Sequence, residues 1–303
     1  MNSPDIITLS SGSSELSVKP STGGAITGWS VHGHALLRDV PEEARRDGNA
    51  RQQGCFPLLP YSNRIAHATL PLDGRSYPLR PDPQGEAHSI HGNAWYTPWA
   101  VDSRDEHRLV LRLDHDARNE RALDWPFAYS ARETFDLTPD GLAITLTITN
   151  NGNRAMPAGL GLHPYFRAGP GTRIWFQTTG VWLNGEDKLP TAHVPLPAGW
   201  SFENGGSPSD AALDNCFSGW NGTARIHWPD AGLRLTMTAD DIFRHLVVFT
   251  PPGREFFCVE PVSHANGAIV PKDGAGPDIL GARLLAPGAS LSGTVHFAIE
   301  HHP

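Results

Sequence analysis

An all-β architecture of large antiparallel sheets packed face to face, with few short helices, is what these 303 residues predict, and three observations carry the expectation. Apolar and polar residues alternate over runs of strand length, 31 glycines and 27 prolines punctuate the chain, and a sustained apolar period of about 3.6 residues is absent. The share of glycine and proline exceeds the roughly 12% of an average protein. It is spread throughout rather than gathered in one tract, which argues for many tight turns and against a disordered linker. A single domain spanning residues 1–303 is expected, because β-sandwiches often run past the length at which other folds divide.

Taken in chain order, a short helix is expected near Pro41 to Arg46, and a hairpin over Leu70 to Leu79 around Asp73-Gly74. Leu109 to Leu113 is strand-like. The clearest strand is Leu142 to Thr149, where Leu142, Ile144, Leu146 and Ile148 alternate with Ala143, Thr145, Thr147 and Thr149. It follows a Pro139-Asp140-Gly141 turn, so Tyr129 to Leu137 reads as its antiparallel partner. Ile174 to Thr178, Leu233 to Thr238, Leu246 to Phe249 and Leu291 to Ile299 carry the same signal. No strand is followed by a convincing crossover helix, which excludes most parallel-sheet folds. A fixed-period repeat is also absent, which disfavours a propeller or solenoid.

The formal net charge of −8 disfavours a nucleic-acid surface, since counterion release needs clustered Lys and Arg. The opening MNSPDIITLSSGSSELSV has neither the basic nor the apolar region of a signal peptide, and no stretch approaches the ~18 apolar residues of a membrane helix. A cytoplasmic protein that acts on a neutral small molecule is expected. Cys55, Cys216 and Cys258 are odd in number and far apart, and read as reduced core thiols.

Four segments join titratable residues to the aromatic or glycine neighbours of a ligand pocket. Leu59-Pro60-Tyr61-Ser62-Asn63-Arg64-Ile65 sets an arginine between turn formers and apolar residues, although a surface ion pair is the plainer reading of Arg64 alone. In His88-Ser89-Ile90-His91-Gly92-Asn93-Ala94-Trp95 the two histidines evoke a metal pair. A strand there would put them on opposite faces, so the metal reading is weak. Gly159-Leu160-Gly161-Leu162-His163-Pro164-Tyr165-Phe166 presents a histidine restricted to extended backbone by the proline after it. Phe257-Cys258-Val259-Glu260-Pro261-Val262-Ser263 ends an apolar strand on a carboxylate, which burial would raise unless donors surround it. Asp214, in Leu213-Asp214-Asn215-Cys216-Phe217, is the fifth candidate, though Asp-Asn is also ordinary turn chemistry.

In order and wording these segments resemble the aldose 1-epimerase, or galactose mutarotase, family over nearly the whole chain. Asn63-Arg64-Ile65, His91-Gly92, His163-Pro164-Tyr165-Phe166, Asp214 and Glu260-Pro261 carry the resemblance together. It implies a galactose mutarotase-like β-supersandwich with a cleft on one sheet. Glu260 would be general base, His163 general acid and His91 an aid at the ring oxygen. Arg64 and Asp214, with Asn63 beside them, would bind sugar hydroxyls. Asn93 stands where a second glycine is common, and Val262-Ser263 where Gln-Thr is; both are expected to line the pocket.

Anomer exchange needs one group to remove the C1 hydroxyl proton and another to protonate the ring oxygen. Neither a metal nor any other cofactor is required. The expected charge states are a Glu260 near its ordinary pKa and a His163 raised by the neighbouring carboxylate. Three other classes compete. A glycoside hydrolase or lyase would want paired carboxylates. A sugar-binding protein without turnover is suggested by nine tryptophans, including Trp95, Trp99, Trp182 and Trp220, most of which read as packing. A metal-dependent enzyme using His88, His91, His163 and Glu260 comes last.

Overall fold

The computed structural model describes residues 5–46, 48–269 and 280–301. Its architecture is two eight-stranded antiparallel sheets, a four-stranded N-terminal sheet and small two-stranded pairs. The back sheet runs, in spatial order, Ala100–Arg104, Arg108–His115, Tyr129–Thr138, Gly141–Asn150, Ser290–His301, Leu233–Ala239, Thr223–Trp228 and Arg173–Phe176. Its strands alternate buried and wetter residues, as the sequence pattern requires of a sheet with one face on the core. On the wetter face Thr147 and Ser292, and Thr149 and Ser290, pair hydroxyl to hydroxyl at 2.8 Å across neighbouring strands.

The other sheet, on which the resemblance places the cleft and which is called the cleft sheet below, runs Pro190–Pro195, Gly180–Asn184, Asp214–Ser218, His245–Phe249, Phe256–Val262, Gly161–Leu162 and Pro57–Leu58, and Tyr165–Arg167 also pairs with Phe256–Val262. Its middle strands are buried on both faces. Phe257 and Val259 point to the main core, which they share with Leu111, Phe135, Ile144 and Leu146 of the back sheet. Cys258 and Val262 point the other way, into a second cluster with Phe56, Trp95, Tyr165 and Cys216. A strand covered on both sides loses the polar half of its alternation. The expected hairpin appears as Thr69–Leu72 and Arg75–Pro78, and the expected short helix as Glu42–Arg46. Buried Lys19 donates to the carbonyls of Arg45 and Arg46 at 2.6 and 3.0 Å, which closes that helix's C-terminal end. The three cysteines are free and buried.

Candidate active site

The site begins as a break in one ladder. Gly161 pairs with Val262 and Tyr165 with Cys258 in the same antiparallel register, so His163 falls opposite Glu260. Pro164 has no N–H to extend the ladder, and the His163 N–H turns instead to the Phe56 carbonyl at 3.0 Å. Directly opposed residues share a face, which brings His163 Nε2 to 3.4 Å from Glu260 Oε1. Both side chains are buried.

The charge states expected from sequence need correction. Burial pushes the Glu260 carboxyl well above the ordinary carboxylate range, the Asp214 charge adds to that, and Arg64 opposes it. Burial likewise pushes the His163 imidazole below its ordinary range, and the Arg38 and Arg51 guanidiniums act in the same direction. Burial therefore favours placing the pair's proton on the carboxyl over placing it on the ring.

Arg38 is a residue that no sequence motif marks. Its guanidinium lies 3.6 Å from the centroid of the Tyr165 ring. The His163 ring stacks on Tyr165 at 4.5 Å and 18°, and Phe56 lies 4.7 Å from His163. A guanidinium and an imidazole cannot occupy the same face of one ring, so Tyr165 is sandwiched between them. Arg38 is anchored by backbone carbonyls of Arg51 and Gln53 rather than by a carboxylate. Among the described residues no carboxylate pairs with its charge, which stands close to His163.

His91 is aimed by its backbone. His91 and Gly92 both adopt the left-handed conformation, with φ of 62° and 68°, and a Cβ on Gly92 would collide with the Leu59 carbonyl. Asn63 then clamps the histidine: its N–H donates to His91 Nδ1 at 3.1 Å, and its carbonyl accepts the His91 N–H at 2.9 Å. Because Nδ1 accepts, the ring proton sits on Nε2. Burial holds His91 well below the ordinary imidazole range, so it is a neutral N–H donor. Its ring lies 5.4 Å from that of His163.

Arg64 departs from its expected use. Its Nε and Nη2 already bond the two Glu86 oxygens at 2.7 and 2.9 Å, and these bonds pull the Glu86 carboxyl down to about 2. The fork is engaged, which leaves Nη1 as the guanidinium edge outside that pair. The Asn63 side chain is engaged at one end, where its Oδ1 accepts the Arg64 N–H at 2.9 Å, which leaves the Nδ2 end for a ligand. Asp214 lies in one cross-strand row with Phe249, Cys258 and Tyr165, which places it on the cleft face. Trp182 shares the row of Cys216, Val247 and Glu260, so it too faces the cleft. Trp95, Trp99 and Trp220 are buried packing residues.

The two departures from the family pattern mostly point elsewhere. The Asn93 side chain is buried between His115 Nδ1 at 3.1 Å and the Tyr129 hydroxyl at 2.7 Å, away from the cleft. Ser263 Oγ accepts the Leu160 N–H at 2.8 Å, a structural tie. Only Val262 belongs to the cleft-side cluster. His88 accepts the His67 N–H at 3.0 Å and does not join His91. Among the described residues the one group of metal-ligand side chains is His163, Cys258 and Glu260, not the set with His88 and His91.

A sequence profile of the aldose 1-epimerase family matches residues 5–298. An uncharacterized protein of Escherichia coli K12, YphB, is 33% identical over 303 residues, covering 97% of this chain and 99% of its own. A provisionally named aldose 1-epimerase from Escherichia coli K12, known by crystal structure, superposes with a TM-score of 0.86 at 33% identity, covering 98% of this chain and 99% of its own. A galactose mutarotase-like protein from Clostridium acetobutylicum shares the fold, with a TM-score of 0.86 at 21% identity over 98% of this chain and 95% of its own.

Proposed function

The chain belongs to the aldose 1-epimerase family, and from that premise we propose that it interconverts the α and β anomers of an aldose by acid–base ring opening. Glu260 is the base and His163 the acid. The observation that carries this reading is the 3.4 Å between Glu260 Oε1 and His163 Nε2. The oxygens to be served, the C1 hydroxyl and the ring oxygen, are bonded to the same carbon, so acid and base must stand close together.

The pair carries one proton in either of two forms. With the proton on His163, the Glu260 carboxylate takes the C1 hydroxyl proton, the imidazolium protonates the ring oxygen, and the bond from C1 to that oxygen breaks. The products are an open aldehyde, a neutral carboxyl and a neutral imidazole. Rotation about C1–C2 and the reverse steps close the other anomer. Burial favours the neutral pair, which is the form that ring opening produces. His91 offers its Nε2–H near the ring oxygen. Arg64 through Nη1, Asp214 and Asn63 bind hydroxyls, and the Trp182 ring offers a face to the apolar side of the sugar.

Proton transfer between side chains and substrate uses no metal or nucleotide, so activity is expected to survive exhaustive chelation. The direct test is polarimetry or NMR exchange on a panel of freshly dissolved α-aldoses, with and without protein. Faster approach to anomeric equilibrium for at least one sugar supports the reading. Binding with exchange at the uncatalysed rate, or release of reducing ends from glycosides, would defeat it.

A further inference from the structure

The mechanism leaves unused a thiol beside the catalytic pair. Cys258 sits two residues before Glu260 on the same strand, and alternation puts both on the cleft face. His163 comes from the neighbouring segment, opposite Glu260 and diagonal to Cys258. One ligand atom from each of the three lies within 4.8 Å of the others, and all three residues are buried.

We propose that His163, Cys258 and Glu260 form a zinc-binding site whose occupation switches the catalytic pair off. The donor set is nitrogen, thiolate and carboxylate, which suits a borderline-soft divalent ion. Zinc bonds of about 2.0–2.3 Å require these atoms to draw in by about an ångström, within reach of side-chain rotation. Three protein ligands leave a fourth position for water. Binding displaces the thiol proton of Cys258 and the proton shared by Glu260 and His163. About two protons leave per divalent ion, and affinity rises with pH. Burial and Glu260 hold the Cys258 thiol well above its ordinary range, so without metal the thiol stays protonated. The inhibitory consequence rests on the proposed function, but the binding does not.

The test uses the full-length protein and cobalt(II) as a spectroscopic stand-in for zinc. The expected result is one cobalt per chain, with a near-ultraviolet thiolate-to-cobalt band that zinc displaces. Cys258→Ser should abolish that band and weaken zinc by about 100-fold, no less than the loss of an outer-shell partner costs. Its metal-free anomerase rate should be unchanged. Cys258→Ala serves if the serine variant does not fold. Zinc should inhibit the wild type, and chelator should restore it. Absence of a thiolate band, or wild-type zinc affinity in the folded Cys258 variants, overturns the site. Binding at exposed histidines such as His32 and His301, whose rings lie 5.7 Å apart, would give cobalt uptake without that band. A thiolate band in a protein that turns over no sugar would keep the metal site and sink the proposed function instead.

Discussion

Each eight-stranded sheet buries one glutamate, and the two carboxyls meet different company. Glu133 of the back sheet stands between Leu111 and Leu146 in its cross-strand row. Its Oε2 has no hydrogen-bond partner, and burial alone raises it well above the ordinary carboxylate range. Glu260 of the cleft sheet is as buried as Glu133, each being 2% exposed. It differs in having an imidazole at 3.4 Å and the charges of Asp214 and Arg64 within reach. Burial makes both groups reluctant acids. Only a partner able to take the proton turns such a group into a reagent.

Removing that partner is the most damaging way to probe the difference. His163→Asn is expected to lower kcat by about 10²–10⁴-fold, the usual worth of an acid–base group, with the fold retained. His88→Asn, made beside it, should leave turnover nearly intact, because the His88 ring accepts the His67 N–H and does not join the catalytic pair. Stopped polarimetry on both variants checks this, and an inactive His88→Asn beside an active His163→Asn would reverse the assignment.

Arg64→Lys is expected to act next most strongly, chiefly on KM. Lysine cannot hold both Glu86 oxygens as the fork does, so the edge proposed to meet the sugar is displaced. A rise of about tenfold matches the loss of a charged hydrogen bond. A fall in kcat at constant KM would instead put Arg64 in the transition state.

Arg38→Gln sharpens the comparison more gently. Arg38 is one of the charges holding His163 down, so its removal should let the imidazole titrate at higher pH. The limb of the pH–rate profile that follows His163 should move to higher pH, while the maximal rate changes little. An unmoved profile would show that Arg38 does not set the histidine and that burial with Arg51 does.

Glu133→Gln should leave turnover untouched and change stability. The folded-state pKa of Glu133 is raised above an unfolded value of about 4.3. Its contribution is therefore fully present below that pH and is lost as pH rises toward the folded pKa. The amide has no such titration, so the variant should be more stable at neutral pH by about 1–3 kcal/mol. The gain should grow with pH in denaturant melts, and a pH-independent difference would mean that Glu133 has a partner in solution.

The same contrast explains what could be read in advance. The back sheet has one wet face, so Tyr129–Thr138 and Gly141–Asn150 announce themselves by alternation, within a residue or two of their observed ends. The cleft sheet has none in its middle. There Phe256–Val262 was legible through the glutamate it ends near; at the sheet's edge Gly180–Asn184 and Pro190–Pro195 carried no period to read because most of their residues are not buried. The four-stranded sheet over residues 7–35 also went unread. In the site, Glu260, His163 and His91 could be found because each sits in a recognisable run of residues. Arg38 and Glu86 could not, because what places them is a ring or a guanidinium supplied from elsewhere in the chain. Asn93 was misread for the converse reason. It follows His91-Gly92 in sequence, but the turn there directs its side chain to His115 and Tyr129.

In the proposed mechanism the cleft glutamate is a reagent and the core glutamate is not. NMR exchange between the anomers of a substrate aldose, measured for the wild type, Glu260→Gln and Glu133→Gln in matched buffer, tests it most directly. Accelerated exchange is expected in the wild type and Glu133→Gln, with Glu260→Gln slower by about 10²–10⁴-fold while still folded. Near-wild-type exchange in Glu260→Gln, or equal loss in both variants, would contradict it.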